Sequence, residues 1–153
     1  MKKFLLFPVL LAFGVLASCT KTTTTTTTTT PTVTPVFTAT LGSITFTATT
    51  VTGSVYSSSY INVLGTASDG STLKVTMPIS ITPGSYSIGN GGSNTISYSS
   101  KTQGGFTGDG NLTITSNSDN IIKGSFSNSD FISATQAYPT IYGTSGTFAA
   151  KYQ

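Results

Sequence analysis

From Val36 onward the chain alternates between apolar residues and Thr, Ser, Asn or Lys, one residue at a time. This pattern constrains the fold more than any other feature. Phe37, Ala39 and Leu41 alternate with Thr, and Gly42-Ser43 breaks the run. Ile44, Phe46 and Ala48 resume it against Thr45, Thr47 and Thr49. Residues 60–67 (YINVLGTA) are strand-like, and Leu73, Val75 and Met77 alternate with Thr72, Lys74 and Thr76. Tyr86 and Ile88, Ile96 and Tyr98, Leu112 and Ile114, Ile122 to Phe126, and Phe148 to Tyr152 continue it. A period of two places apolar side chains on one face of a strand and polar ones on the other. No window carries a helical period. The breaks are turn formers: Asp69-Gly70, Pro83-Gly84, Asn90-Gly91-Gly92 and Asn117-Ser118-Asp119-Asn120. Asp-Gly and Asn-Gly supply the positive φ that tight hairpins need.

Turns every 8–12 residues and one polar face per strand predict an all-β antiparallel domain over residues 36–153. The expected form is a single β-sandwich of about eight or nine short strands, with an up-and-down meander barrel as the alternative. A domain of this size buries enough surface to stand without disulfides.

The residues before it have other tasks. Lys2 and Lys3 precede Phe4–Ala17, an uncharged stretch too short for the roughly 20 apolar residues of a spanning helix. This is the anatomy of a secretory signal peptide, assigned to residues 1–18. The stretch ends Leu16-Ala17-Ser18-Cys19, which resembles the lipobox of bacterial lipoproteins. The resemblance implies cleavage before Cys19 and lipidation of its thiol and new amine. One acyl chain binds a membrane only marginally, whereas several give stable anchoring. Residues 19–35 then form a Thr/Pro-rich tether, with nine consecutive Thr from Thr22 to Thr30 followed by Pro31 and Pro35. It has no apolar face to offset its ordering entropy, so a disordered spacer is expected. At roughly 3.3 Å per residue, Thr20 to Pro35 have a contour limit of about 50 Å.

Composition narrows the chemistry. The chain has seven cations, all Lys, four anions, all Asp, and a single Cys, with no His, Arg, Glu or Trp. Imidazole-based catalysis, a thiolate zinc cluster and an internal disulfide are excluded. Removing the leader leaves five scattered Lys against four Asp, so no basic nucleic-acid footprint remains. Glycoside hydrolysis needs paired acids, but Asp69, Asp109 and Asp119 sit in turn contexts, where Asp bonds its own backbone. Calcium needs several oxygen ligands in close array. Asp109-Gly110-Asn111 and Asn117–Asn120 are the places to look, though they lack the spacing of a dedicated calcium loop. Lys74, in the only Ser-x-x-Lys context weighed, falls in a strand and should face solvent. No catalytic residue, metal site or cofactor is expected.

The enriched chemistry is Tyr, with seven residues. Tyr56 and Tyr60 flank Ser57-Ser58-Ser59, and Tyr138 and Tyr142 flank Pro139-Thr140-Ile141. Such rings can stack on sugar faces, or simply cover sheet edges and corners. These four are the candidate ligand-binding residues.

The order of motifs is similar to that of a family of short lipoproteins common in Bacteroidota, described as a domain of unknown function. The resemblance rests on TATLGSITFTAT (38–49), TASDGSTLKVTMP (66–78), ITPGSYSIG (81–89), GNLTITSNSDNIIKGSFS (110–127) and SGTFAAKY (145–152). At Ser127–Phe131 the chain departs from the unbroken GSFSFTA pattern of such sequences. The resemblance implies a lipid-anchored outer-membrane protein of the cell envelope, and it supplies no catalytic residues. Two roles follow as expectations: a non-enzymatic binding or structural module, or a glycan-binding accessory lipoprotein of a surface polysaccharide uptake system. The expected partners are the membrane, through the lipid, and a glycan or envelope protein.

Overall fold

The computed structural model describes residues 31–153. The expected leader, the lipidated Cys19 and most of the tether lie outside the described residues. Residues 31–35 form no strand.

Ten strands follow. They are β1 (Val36–Leu41), β2 (Ile44–Tyr56), β3 (Tyr60–Ala67), β4 (Thr72–Pro78), β5 (Gly84–Ile88), β6 (Thr95–Ser100), β7 (Gly104–Gly108), β8 (Gly110–Ser118), β9 (Ile121–Ser133) and β10 (Ile141–Lys151). No helix occurs among the described residues. All ten belong to one sheet, in the order β10-β1-β2-β3-β4-β6-β7-β9-β8-β5, and β10 also pairs with β9. The expectation of an all-β antiparallel domain holds.

The pairings follow the meander form of that expectation. β1 to β4 pair consecutively. β5 and β6 run in the same direction one after the other, as two halves of one interrupted strand. β7 and β8 do likewise. β6 lies between β4 and β7, while β5 pairs with β8. The 13-residue β9 serves both halves: Ile121–Ser127 pairs with β8, and Phe131–Ser133 with β7. β10 then pairs with β9 on one side and β1 on the other, closing the hydrogen-bonded circuit. Where β1 stops, the chain end takes over: Gly53 bridges Tyr152 in parallel, and Val55 N–H donates to Gln153 C=O at 2.9 Å. The eight up-and-down runs thus turn at two ends. The near end carries residues 57–59, 79–83, 119–120 and the C-terminus. The far end carries residues 42–43, 68–71, 101–103 and 134–140.

The interior explains the alternation. Phe37, Phe46, Tyr98, Phe106, Phe126, Phe131 and Phe148 are buried with Leu41, Ile61, Leu73, Met77, Ile96 and Leu112. Their rings form a chain of edge-on and tilted contacts. Phe37 meets Phe46, Phe126 and Phe148 at 5.8–6.4 Å, and Phe46 hands on to Tyr98, which meets Phe106 and Phe131. Offset and edge geometries suit the ring quadrupole. The rings fit because inward positions opposite them are Gly. A Cβ on Gly146 would stand 2.6 Å from the Phe126 ring, and one on Gly124 would stand 2.8 Å from Phe148.

Three elements differ from the sequence reading. β2 runs on to Tyr56, because β3 supplies partners for its Thr-rich second half. β7 (GGFTG) is not among the alternating runs, yet β6 and β9 flank it and Phe106 is buried. β9 continues through the polar Ser127–Asp130, because a register shift in β10 lets Ser129 face inward, where its carbonyl accepts the Thr144 hydroxyl.

Candidate functional site

The topology separates the four candidate tyrosines. Tyr56 and Tyr60 are directly opposite partners on the β2–β3 hairpin at the near end. Ser57 and Ser58, with φ of 51° and 56°, close that turn without any Gly. Tyr56 is 59% exposed and Tyr60 is half-buried. Tyr138 and Tyr142 lie at the far end, so the two pairs cannot share one ligand surface.

At the far end the two tyrosines do different things. The Tyr138 hydroxyl reaches the Thr102 carbonyl at 3.4 Å and ties the 134–140 loop to the β6–β7 turn. Tyr142 is 68% exposed, the most exposed large hydrophobic among the described residues. It forms one wall of an open notch of about 340 Å³, with Ile44 (46% exposed), Pro139, Gln103, Thr140 and Ser43 as other lining residues.

Two local irregularities build this notch. The first is the β1–β2 turn. Gly42 has φ +58°, and a Cβ there would stand 3.3 Å from Ile141 Cγ2. Only Gly combines that conformation with so close an approach. The second is the irregular start of β10. Its register against β9 shifts between Ile141 and Thr144. Ile141 packs against the core, so Tyr142 turns outward. Gly143 then adopts φ +64°, and its N–H donates to Asp130 Oδ1 at 3.2 Å. Asp130 is itself held: its N–H donates to Asp109 Oδ1 at 3.3 Å, and Asp109 N–H donates to the Asp130 carbonyl at 3.2 Å. β-Bulges commonly re-aim a side chain in this way.

Three of the four acidic residues, Asp69, Asp109 and Asp130, therefore act on backbone. Asp109 and Asp130 brace the break between β7 and β8 and the start of β10. Asp119 and Asn120, both at positive φ, form the two-residue β8–β9 turn. Asp69 accepts the Ser71 N–H at 2.8 Å and the Ser71 hydroxyl at 2.9 Å, and these bonds lower its carboxyl below the usual carboxylate value. Asn117, in one of the loops considered for calcium, is fully engaged. Its amide donates to the carbonyls of Ile79 and Ile81, and its Oδ1 accepts the Tyr152 hydroxyl at 2.9 Å. Lys74 faces solvent as expected.

The outer wall is of another kind. In one register row stand Thr47, Thr38, Thr147, Ser125, Thr113 and Ser85, from β2, β1, β10, β9, β8 and β5. Strand spacing sets them about 4.8 Å apart. Thr38 and Thr147 touch through their hydroxyls at 3.2 Å. The row carries no charge.

Sequence reasoning found Tyr142 but missed Ile44, Gln103 and the bracing role of Asp130. The one signal in the sequence was Gly143 directly after an aromatic residue, which marks a bulge or turn.

An all-β sheet domain with a hydroxyl-rich wall and an irregular, partly apolar end is the class that fold and surface define. Residues 33–150 match the family described as Domain of unknown function (DUF6252), and the chain belongs to that family. No curated protein and no solved structure matches the chain.

Proposed function

We propose that this is a lipid-anchored cell-envelope protein whose β domain serves a binding or structural role rather than catalysis. The observation that carries the reading is the position of the only Cys. Cys19 directly follows Leu16-Ala17-Ser18, at the end of the uncharged stretch behind Lys2 and Lys3. A chance thiol has no reason to fall there. The Thr/Pro run after it suits a spacer. The four Asp support the non-enzymatic part, since Asp69, Asp109 and Asp130 accept backbone N–H groups and Asp119 sits in a tight turn. Outer-membrane residence follows from the resemblance to lipoproteins and from Thr20, which is not the Asp that retains such proteins in the inner membrane of enteric-type bacteria. Labelled palmitate should enter the wild-type chain and not Cys19→Ser, which should also leave the membrane fraction. Equal labelling or unchanged fractionation would overturn the anchor. Protease shaving of intact cells then reads which side of the outer membrane the domain faces.

A second reading, a glycan-binding accessory lipoprotein of a surface polysaccharide uptake system, is favoured by the exposed Tyr142 ring in its notch. It requires that the full-length protein in detergent bind polysaccharides or oligosaccharides on an array. A blank array removes it and leaves the anchored module standing.

A further inference from the structure

We infer that the far-end notch is a subsite for one neutral pyranose ring, with Tyr142 as the stacking platform and Asp130 as the positioning residue that aims it. The inference rests on the glycan reading and gives it a site and a ligand class. The size fits: the notch of about 340 Å³ is at the small end of ligand pockets, which run roughly 300–1,000 Å³. Its open shape suits a single ring at a chain end rather than an enclosed ligand.

The lining supplies the two surfaces a sugar presents. Tyr142, Ile44 and Pro139 offer apolar faces for the C–H side of a pyranose. Gln103, Thr140 and Ser43 bring one amide and two hydroxyls for its hydroxyl groups. None of the residues lining the notch is charged. The Asp130 carboxylate accepts the Gly143 N–H behind the irregular start of β10, so a uronic or phosphorylated sugar would have a carboxylate nearby and no cation among the lining residues.

The backbone that carries the ring is also held. Ile141, partly buried, packs against the core on one side of Tyr142, and Gly143 is held by Asp130 on the other. A backbone already held in place leaves less to order on binding than a free loop would. This gives Asp130 a role distinguishable from mere folding support. Asn at 130 keeps an Oδ1 acceptor for the Gly143 N–H, whereas Ala removes it.

The test is saturation-transfer NMR on the full-length protein in detergent. The probes are the methyl glycosides of glucose, galactose, mannose and N-acetylglucosamine, with methyl glucuronide as the charged comparison. At least one neutral glycoside should bind, and the glucuronide should not. Tyr142→Ala, at an exposed position, should weaken binding about tenfold. Tyr56→Ala at the near end should leave it unchanged. Asp130→Ala should weaken it severalfold and Asp130→Asn should restore it, with circular dichroism confirming that each variant is folded. If glycans bind but Tyr142→Ala has no effect, the notch is the wrong site while the glycan reading stands. If the glucuronide binds as well as the neutral sugars, the charge argument fails. If no sugar and no array glycan binds, both readings fall together. Should Asp130→Asn fail to restore what Asp130→Ala loses, the positioning role is wrong.

Discussion

The hydroxyl-bearing wall and the far end share strands β1, β2, β9 and β10, yet they present opposite surfaces. Along the wall the register is regular, so each outward position repeats its neighbour and the result is a row of six hydroxyls without charge. At the far end the register breaks between Ile141 and Thr144, and the same strands yield a notch with an exposed ring. Regular pairing makes a uniform hydroxyl face; broken pairing turns an aromatic ring outward. A domain built from alternation alone would have only the wall.

The strongest way to break the comparison is to remove what both regions stand on. Phe126 pairs with Gly146 beneath the wall and supports β9 and β10. Phe126→Ala should cost about 3–5 kcal/mol in urea denaturation, through lost burial and the cavity left behind. A loss below about 1 kcal/mol would mean that the interior is not close-packed. Gly146→Ala approaches the same contact from the other side. Its Cβ would meet both the Phe126 ring and the Thr38 carbonyl oxygen at 2.6 Å, and backbone cannot swing away. A loss of about 1–3 kcal/mol is expected, and a neutral result would show that β1 and β10 can separate freely.

The wall itself should respond much less. Thr38→Ala with Thr147→Ala removes the hydroxyl contact and should cost under about 1 kcal/mol, with sugar binding at Tyr142 unaffected. A large loss would make the row a structural ladder rather than a solvated face.

The smallest effect concerns Asp69 in the far-end β3–β4 turn. Its carboxyl is lowered in the folded protein by bonds from the Ser71 N–H and hydroxyl. A depressed folded value means that the carboxylate stabilises the turn above its unfolded value, near 3.9, and that this contribution is lost as pH falls through the folded value. A carbon-detected NMR titration of Asp69 should give a midpoint below the ordinary one, and Ser71→Ala should move it upward. A midpoint at the ordinary value in wild type would refute the bonding.

How much of this was legible in the sequence varies by element. Strands with clean alternation and a turn dipeptide at one end, such as β4 and β8, were readable because one face meets a core and the other meets water. β7 was not, because Gly-Gly-Phe-Thr-Gly lacks intrinsic strand preference and is extended only between β6 and β9. The continuation of β9 through Ser127–Asp130 was hidden for a related reason. Ser129 is buried, with its hydroxyl unpartnered, and that arrangement makes sense only beside Thr144 of β10.

Alternation, turn chemistry and the lone Cys are local facts, so the sequence alone determined an all-β antiparallel domain, its inward residues and the expectation of a lipid anchor. The return of β10 to β1, the separation of the tyrosine pairs to opposite ends, and the outward turn of Tyr142 were decided by tertiary structure. Each depends on pairings between residues far apart in the chain, and a hydrogen bond such as that from Gly143 to Asp130 exists only once the circuit has closed.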